Sequence, residues 1–189
     1  MSAEAADTGS SAGPAPDRDD VGALAARAVG ALSARGLTVG TAESLTGGLV
    51  GAALTGVAGS SAVYRGGVVA YATPLKAALL GVDAGLLERE GAVHPQVAQQ
   101  MAEGARRVLG ADVGLATTGV AGPDPQDGRP PGTVHVAVAT AEGCRGLDLS
   151  LLGDRAGVRE QAVRQLLGLL LDTLSAMPSA AGDQGERPR

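Results

Sequence analysis

Hydrophobic positions recur along this chain with two periods, and the switches between them mark out its elements. After Asp19 or Asp20, either able to cap a helix, Val21, Leu24, Ala28, Val29 and Leu32 fall at helical spacing until Gly36 stops the run. Leu37 to Ala42 predicts a short strand, Leu45 to Leu54 a helix before Gly56, and Val63 to Ala72 a strand interrupted by glycine. Thr73-Pro74 predicts another helix start, with Thr as N-cap and Pro at the first helical position. A short helix near Leu86 ends at Gly91. His94-Pro95 opens a longer one, with Val97, Met101, Ala105 and Val108 on one stripe and Gly110 at its end. Asp112 to Thr118 reads as a buried strand, followed by the loop GVAGPDPQDGRPPG. Val134, Val136 and Val138, then Leu147, Leu149 and Leu151, alternate as strands, and the short AEG link between them predicts an antiparallel hairpin. Asp154 caps a last helix carrying Val158, Ala162, Leu166, Leu169 and Leu170 at helical spacing.

Helices alternating with strands, plus one hairpin, predict an α/β fold with a mixed sheet and helices on both faces. At 189 residues the chain is long enough for one domain with a substantial core and short for two. Residues 1–17 and 178–189, rich in Ala, Gly, Pro, Ser and charged residues, cannot bury a core and are expected as disordered tails around a domain over 18–177.

Composition changes this picture in one respect. There is no Phe, Trp, Ile or Asn, so the core must be built from Leu, Val and Ala. A net charge of -5 without a basic stripe argues against direct nucleic-acid contact. No basic and apolar leader and no apolar run of membrane-spanning length is present, so a cytoplasmic protein is expected. One cysteine, Cys144, excludes an internal disulfide and a Cys-based zinc site. His94 and His135 form no metal pair, and both are expected to be structural. No cofactor is expected. The Leu/Val/Ala-rich helices suit a subunit interface, and a homodimer is the favoured assembly.

The same composition singles out one residue. The chain has fourteen arginines and a single lysine, Lys76. Lys can lose its proton where charge is disfavoured, and Arg effectively cannot. With Thr73 as N-cap, Lys76 falls at the third helical position and faces the positive end of the helix dipole, which favours the neutral, proton-accepting form. Tyr71 lies close enough in sequence to shuttle a proton or orient the amine; a solvated lysine is the plain alternative. A second candidate is Thr41-Ala42-Glu43-Ser44-Leu45-Thr46-Gly47-Gly48. There Ser44 stands where a nucleophile could be held, with the amides of Thr46 to Gly48 open to an oxyanion or phosphate. Ser is equally a common helix cap. The loop from Thr118, Gly119, Gly122 and Pro123 to Gly132 and Thr133 permits close backbone approach to a ligand. Asp154, Arg155 and Arg159 could hold a phosphate, or merely cap and pair. Ser with Lys is a recurring metal-free way to cleave an amide.

Taken in order, TAESLTGG, AGSSAVYRGGVVAY, LKAALLGV, GAV, TTGVAGPD and PPGTVHVA resemble the CinA C-terminal domain family, the PncC-type nicotinamide-nucleotide amidases, over about residues 20–175. The resemblance implies a three-layer α/β/α sandwich. It also implies deamidation of nicotinamide mononucleotide to nicotinic acid mononucleotide and ammonia, with this nucleotide as the small-molecule partner. By position, Ser44 would be the nucleophile and Lys76 the general base, with Tyr71 assisting; the choice of Ser44 over the Thr46 hydroxyl comes from the resemblance and not from spacing. Glu43, Thr46, Gly47, Gly48, Thr118, Gly119, Gly122, Pro123, Gly132, Thr133 and Arg155 would contact substrate. The family usually reads Ser-Asn-x-x-Lys where this chain has Ala72-Thr73-Pro74-Leu75-Lys76, so any contact from that Ser or Asn is lost. Some relatives carry a large N-terminal nucleotide-hydrolysing domain, and the chain is expected to be the stand-alone form. The competing expectation is a non-catalytic protein-interaction module linked to competence or DNA damage. Ammonia release from the nucleotide separates the two.

Overall fold

A computed structural model describes residues 20–178, so the expected tails, apart from Pro178, lie outside the described residues. Helix α1 (Val21–Arg35) begins where the Asp20 carboxylate accepts from the Gly22 amide, and it ends at Gly36 in the left-handed conformation. Strand β1 (Val39–Glu43) leads through a turn to α2 (Leu49–Thr55). Strand β2 (Tyr64–Val69) is followed by α3 (Thr73–Leu80), α4 (Ala84–Glu90) and α5 (Pro95–Leu109). Strands β3 (Val113–Gly119), β4 (Thr133–Ala139) and β5 (Cys144–Ser150) precede α6 (Arg155–Ala176).

The sheet runs β2-β1-β3-β4-β5. Its first three strands are parallel, and β4 and β5 are antiparallel to their neighbours, which gives the expected hairpin at the sheet's end. Helices α1, α2 and α6 cover one face, and α3, α4 and α5 the other, in a three-layer α/β/α sandwich. Tyr64 is the single aromatic ring packed against this core among the described residues, and the two faces are filled differently. Val39, Val113, Leu115, Val134, Val136 and Val138 meet the first set of helices. Towards α5 the same strands turn Gly40, Ala42, Gly114, Ala116, Ala137 and Ala139. A Cβ on Gly114 would collide with the Ala102 carbonyl of α5, so the helix lies almost directly on the sheet backbone.

Several boundaries differ from the sequence reading. Helix α2 begins at Leu49 rather than Leu45, because Ser44 to Gly48 form a turn ending in Gly48 at φ 101. The N-cap of α3 is Ala72, without a side-chain bond, which moves Lys76 to the fourth helical position. Val108, expected on the buried stripe of α5, is half exposed; the next residue, Leu109, packs inward instead. Strand β5 is an edge strand and mostly exposed, so only Leu149 and Leu151 of its predicted apolar set lean on the core.

Candidate active site

The site begins where β1, buried between β2 and β3, runs out. The Ser44 amide donates to the Thr117 carbonyl at 3.1 Å and so carries the ladder one residue past the strand. Glu43 is buried, and its side chain turns under the loop. One carboxylate oxygen accepts from the Thr46 hydroxyl (2.8 Å) and the Gly48 and Val50 amides (2.9 and 3.0 Å); the other accepts from the Gly51 amide at 2.9 Å. A carboxylate at a helix start satisfies donors the helix itself leaves open. Glu43 is therefore the internal anchor of the turn, not the substrate contact the sequence suggested. Thr46 is fully buried, its hydroxyl engaged by Glu43 and at 2.8 Å by Thr117, which leaves Ser44 as the available hydroxyl of the pair.

Two of the three amides expected to receive an oxyanion are also spent inside the turn. Gly47 donates to the Ser44 carbonyl at 3.1 Å and Gly48 to Glu43. Arg159 holds the other side, donating to the Leu45 carbonyl at 3.0 Å and the Thr46 carbonyl at 2.7 Å. Among the described residues the Leu45 and Thr46 amides have no acceptor. The turn is thus clamped by a carboxylate on its amides and a guanidinium on its carbonyls.

Lys76 reaches this turn from the opposite helix layer. Its side chain is 1% exposed, and Nζ donates to Ser44 Oγ at 3.0 Å and to the Ala70 carbonyl at 2.8 Å. Burial lowers its pKa from 10.5 to about 8, and the charge of Asp127 partly opposes that shift. Removal from water, rather than the helix dipole that the sequence suggests, is the principal cause in the folded chain. When the amine is neutral the same contact reverses, and the Ser44 hydroxyl donates to the nitrogen lone pair.

Ser44 lies on a cleft of about 80 Å³, lined also by Leu45, Tyr71, residues 119–122, Asp124, Gln126 and Arg155. Arg155 bridges its rim, donating to the Tyr71 hydroxyl at 2.7 Å and to the Gly122 carbonyl at 2.8 Å. Tyr71 is 55% exposed and bonds Arg155, so its hydroxyl serves the rim and makes no bond to Lys76 or Ser44. Thr118 is buried and donates to the Ala92 carbonyl at 2.7 Å, a tie from β3 to the connection between α4 and α5 and not an open contact. Gly119 and Gly132 are required by close approach, since a Cβ on either would run into the backbone of Thr133 or Leu151 respectively. Pro123, within this loop, and Thr133, at the start of β4, do not line the cleft.

Larger surface depressions exist, among them one lined by Arg106, Arg107, Thr140 and Glu142, where the Thr140 hydroxyl donates to the Glu142 carboxylate at 2.7 Å, and none of those described contains Ser44 or Lys76. His94 caps α5 and His135 pairs with Asp148 at 2.8 Å. Burial pushes the Cys144 thiol up to about 11, away from the reactive range. No described helix is long and apolar enough to cross a membrane. Sequence reasoning missed Arg159 as a clamp and Asp127 altogether; for Asp127 the only signal was its place before Gly128 in a loop, a common turn sequence.

A family model for the CinA C-terminal domain matches residues 21–174. A CinA-like protein of Frankia casuarinae is 49% identical over 122 residues, covering 65% of this chain and 28% of that protein. A putative competence-damage inducible protein of Geobacillus kaustophilus is 42% identical over 123 residues, covering 62% of this chain and 29% of that protein. This chain therefore spans less than a third of the length of these curated relatives. Among solved structures, competence damage-inducible protein A of Klebsiella pneumoniae superposes with TM-score 0.81 at 36% identity, covering 84% of this chain and 99% of that one. The competence/damage inducible protein CihA of Agrobacterium tumefaciens gives 0.79 at 38% identity, covering 86% and 99%. With nearly all of the described residues matched in sequence, and the same sandwich found in solved relatives, the chain belongs to the CinA C-terminal domain family.

Proposed function

We propose that this chain is a serine–lysine amidohydrolase that converts nicotinamide mononucleotide to nicotinic acid mononucleotide and ammonia. The observation that carries the reading is the buried 3.0 Å contact between Lys76 Nζ and Ser44 Oγ, on a lysine whose pKa is lowered to about 8. At pH 7 roughly a tenth of such a lysine is neutral, enough to serve as a general base. Neutral Lys76 takes the Ser44 proton as Oγ attacks the carboxamide carbon. The developing oxyanion is met by backbone amides at the cleft, with Leu45 replacing Gly47 and Gly48 in that role. The lysine ammonium returns its proton to the departing amine, ammonia leaves, and water activated by Lys76 hydrolyses the acyl-enzyme. The small cleft takes the carboxamide end, while the ribose phosphate lies across the rim at Arg155, which exchanges its Tyr71 bond for a phosphate oxygen.

The test is ammonia release from the nucleotide by purified protein. Ser44→Ala and Lys76→Arg are each expected to lower kcat/KM by at least about 1,000-fold, since removing one member of a nucleophile–base pair disables both. Circular dichroism and the unfolding midpoint of Ser44→Ala are expected to stay as in wild type. Turnover retained in either variant sinks the assigned roles. A folded wild-type protein that releases no ammonia from this or related amides favours the interaction-module reading instead.

A further inference from the structure

The loop between β3 and β4 is tied to the connection between α4 and α5 at one buried residue. Thr118, at the end of β3, donates its hydroxyl to the Ala92 carbonyl at 2.7 Å. Asp127, at the tip of the loop, accepts from the Ala92 amide through Oδ2 at 2.8 Å. Both hydrogen-bonding groups of the Ala92 backbone are thus held, the carbonyl from the end of β3 and the amide from the tip of the loop that follows it. The tip is built for this contact. Gln126 and Arg129 exchange backbone bonds of 3.1 and 2.8 Å, and Asp127 between them adopts φ 51, a conformation tolerated by Asp far better than by most side chains. The neighbouring segment leaves it no slack: a Cβ on Gly91 would come within 2.8 Å of the Asp127 side chain. Gln126, next to the clasp, and Asp124 line the Ser44 cleft.

We propose that Asp127 is a positioning residue for the Ser44 cleft: its carboxylate clasps the loop to Ala92 and so holds Gln126 and Asp124 of that loop in the wall of the cleft, which fixes where its own charge stands relative to the Ser44–Lys76 pair. The catalytic consequence rests on the serine–lysine reading above; the electrostatic one does not. The other ionisable side chains disposed about the pair are engaged elsewhere or lie on the cleft wall. Glu43 of β1 is taken up by the amides of α2, and His94 accepts from the Gln96 amide at the head of α5. Arg155 of α6 is bonded to Gly122 and to Tyr71, which follows β2. Asp124 lines the cleft in the same loop. Asp127 is the charge that bears on Lys76, and it acts against burial, drawing back the proton that burial expels.

Because Lys76 is the only lysine, protein grown with lysine labelled with carbon-13 at the ε-carbon gives one side-chain resonance, whose pH titration reads this group alone. Asp127→Asn keeps an oxygen that accepts from the Ala92 amide but removes the charge; Asp127→Ala removes both. The lysine midpoint is expected to fall by roughly half a unit in both variants at low salt. The fall is expected to shrink at high salt, because an exposed carboxylate is screened. The acid limb of kcat/KM for ammonia release then moves by the same amount in Asp127→Asn, about a threefold gain below the midpoint. Protection of the Ala92 amide from hydrogen exchange is expected to persist in Asp127→Asn and to be lost in Asp127→Ala. A lysine midpoint unmoved at low salt in Asp127→Asn overturns the charge role, and equal Ala92 protection in Asp127→Ala and wild type overturns the clasp. Both readouts hold even for a protein that releases no ammonia, so failure of the amidase reading and failure of this one are seen separately.

Discussion

The chain passes from strand to helix twice on neighbouring strands, and the two junctions carry opposite charges. After β1, the buried carboxylate of Glu43 meets the first amides of α2 and closes four hydrogen bonds. After β2, the buried amine of Lys76 lies in the first turns of α3, where the N-cap is Ala72 and no side chain caps the helix. In the first junction the charge agrees with the helix dipole and its desolvation is repaid by donors all round. In the second the charge opposes the dipole and has only a serine hydroxyl and one carbonyl for partners. Matched charge makes the Glu43 junction rigid scaffold. Mismatched charge leaves the Lys76 proton loosely held, which is what a general base requires.

Three measurements would break or sharpen this contrast. Glu43→Ala leaves three amides and the Thr46 hydroxyl without their buried acceptor, at a cost of about 3–5 kcal/mol. Urea unfolding at neutral pH reads this as a lower midpoint at unchanged slope. A loss below about 1 kcal/mol would mean that the carboxylate is not the anchor described here.

Lys76→Met should have the opposite sign. Below pH 8 the lysine is charged in both the folded and the unfolded chain, and the folded chain bears the full cost of burying it. Between pH 8 and 10.5 the unfolded chain binds more protons than the folded one, so wild-type stability rises with pH and the cost disappears. Lys76→Met is therefore expected to be about 1–3 kcal/mol more stable than wild type at pH 7, with the advantage gone near pH 10.5, while ammonia release is abolished. A pH-independent difference in unfolding free energy would detach the stability effect from the lysine's proton. The smallest change is Ala72→Ser. It supplies α3 with the side-chain cap it lacks and should add about 0.5–1 kcal/mol, seen as a rise in Tm.

Much of the candidate site was legible because its residues stand out in the chain's own composition and punctuation. Lys76 is unique, and Thr73-Pro74 marks the start of its helix to within one residue. Ser44 was found with its turn, but the roles of the turn's other residues were not. Glu43, Thr46 and Gly48 were read as substrate contacts, and each is instead bonded within the turn. That assignment depends on where α2 begins: starting at Leu49 instead of Leu45, the helix presents its open amides to Glu43 and not to a ligand. Asp127 escaped notice for a related reason. It is 51 residues along the chain from Lys76, and only the folded-back loop brings its charge to bear.

The sequence by itself determined the order of elements and the mixed sheet, and it set Lys76 apart as the single lysine. Local periodicity, turn residues and a biased composition encode those directly. The tertiary structure decided which hydroxyl is free, which amides are spent, and how far the Lys76 proton is loosened. Those depend on desolvation and hydrogen-bond partners supplied by residues distant in the chain, and burial of a charge is a property of the packed fold and not of any segment within it.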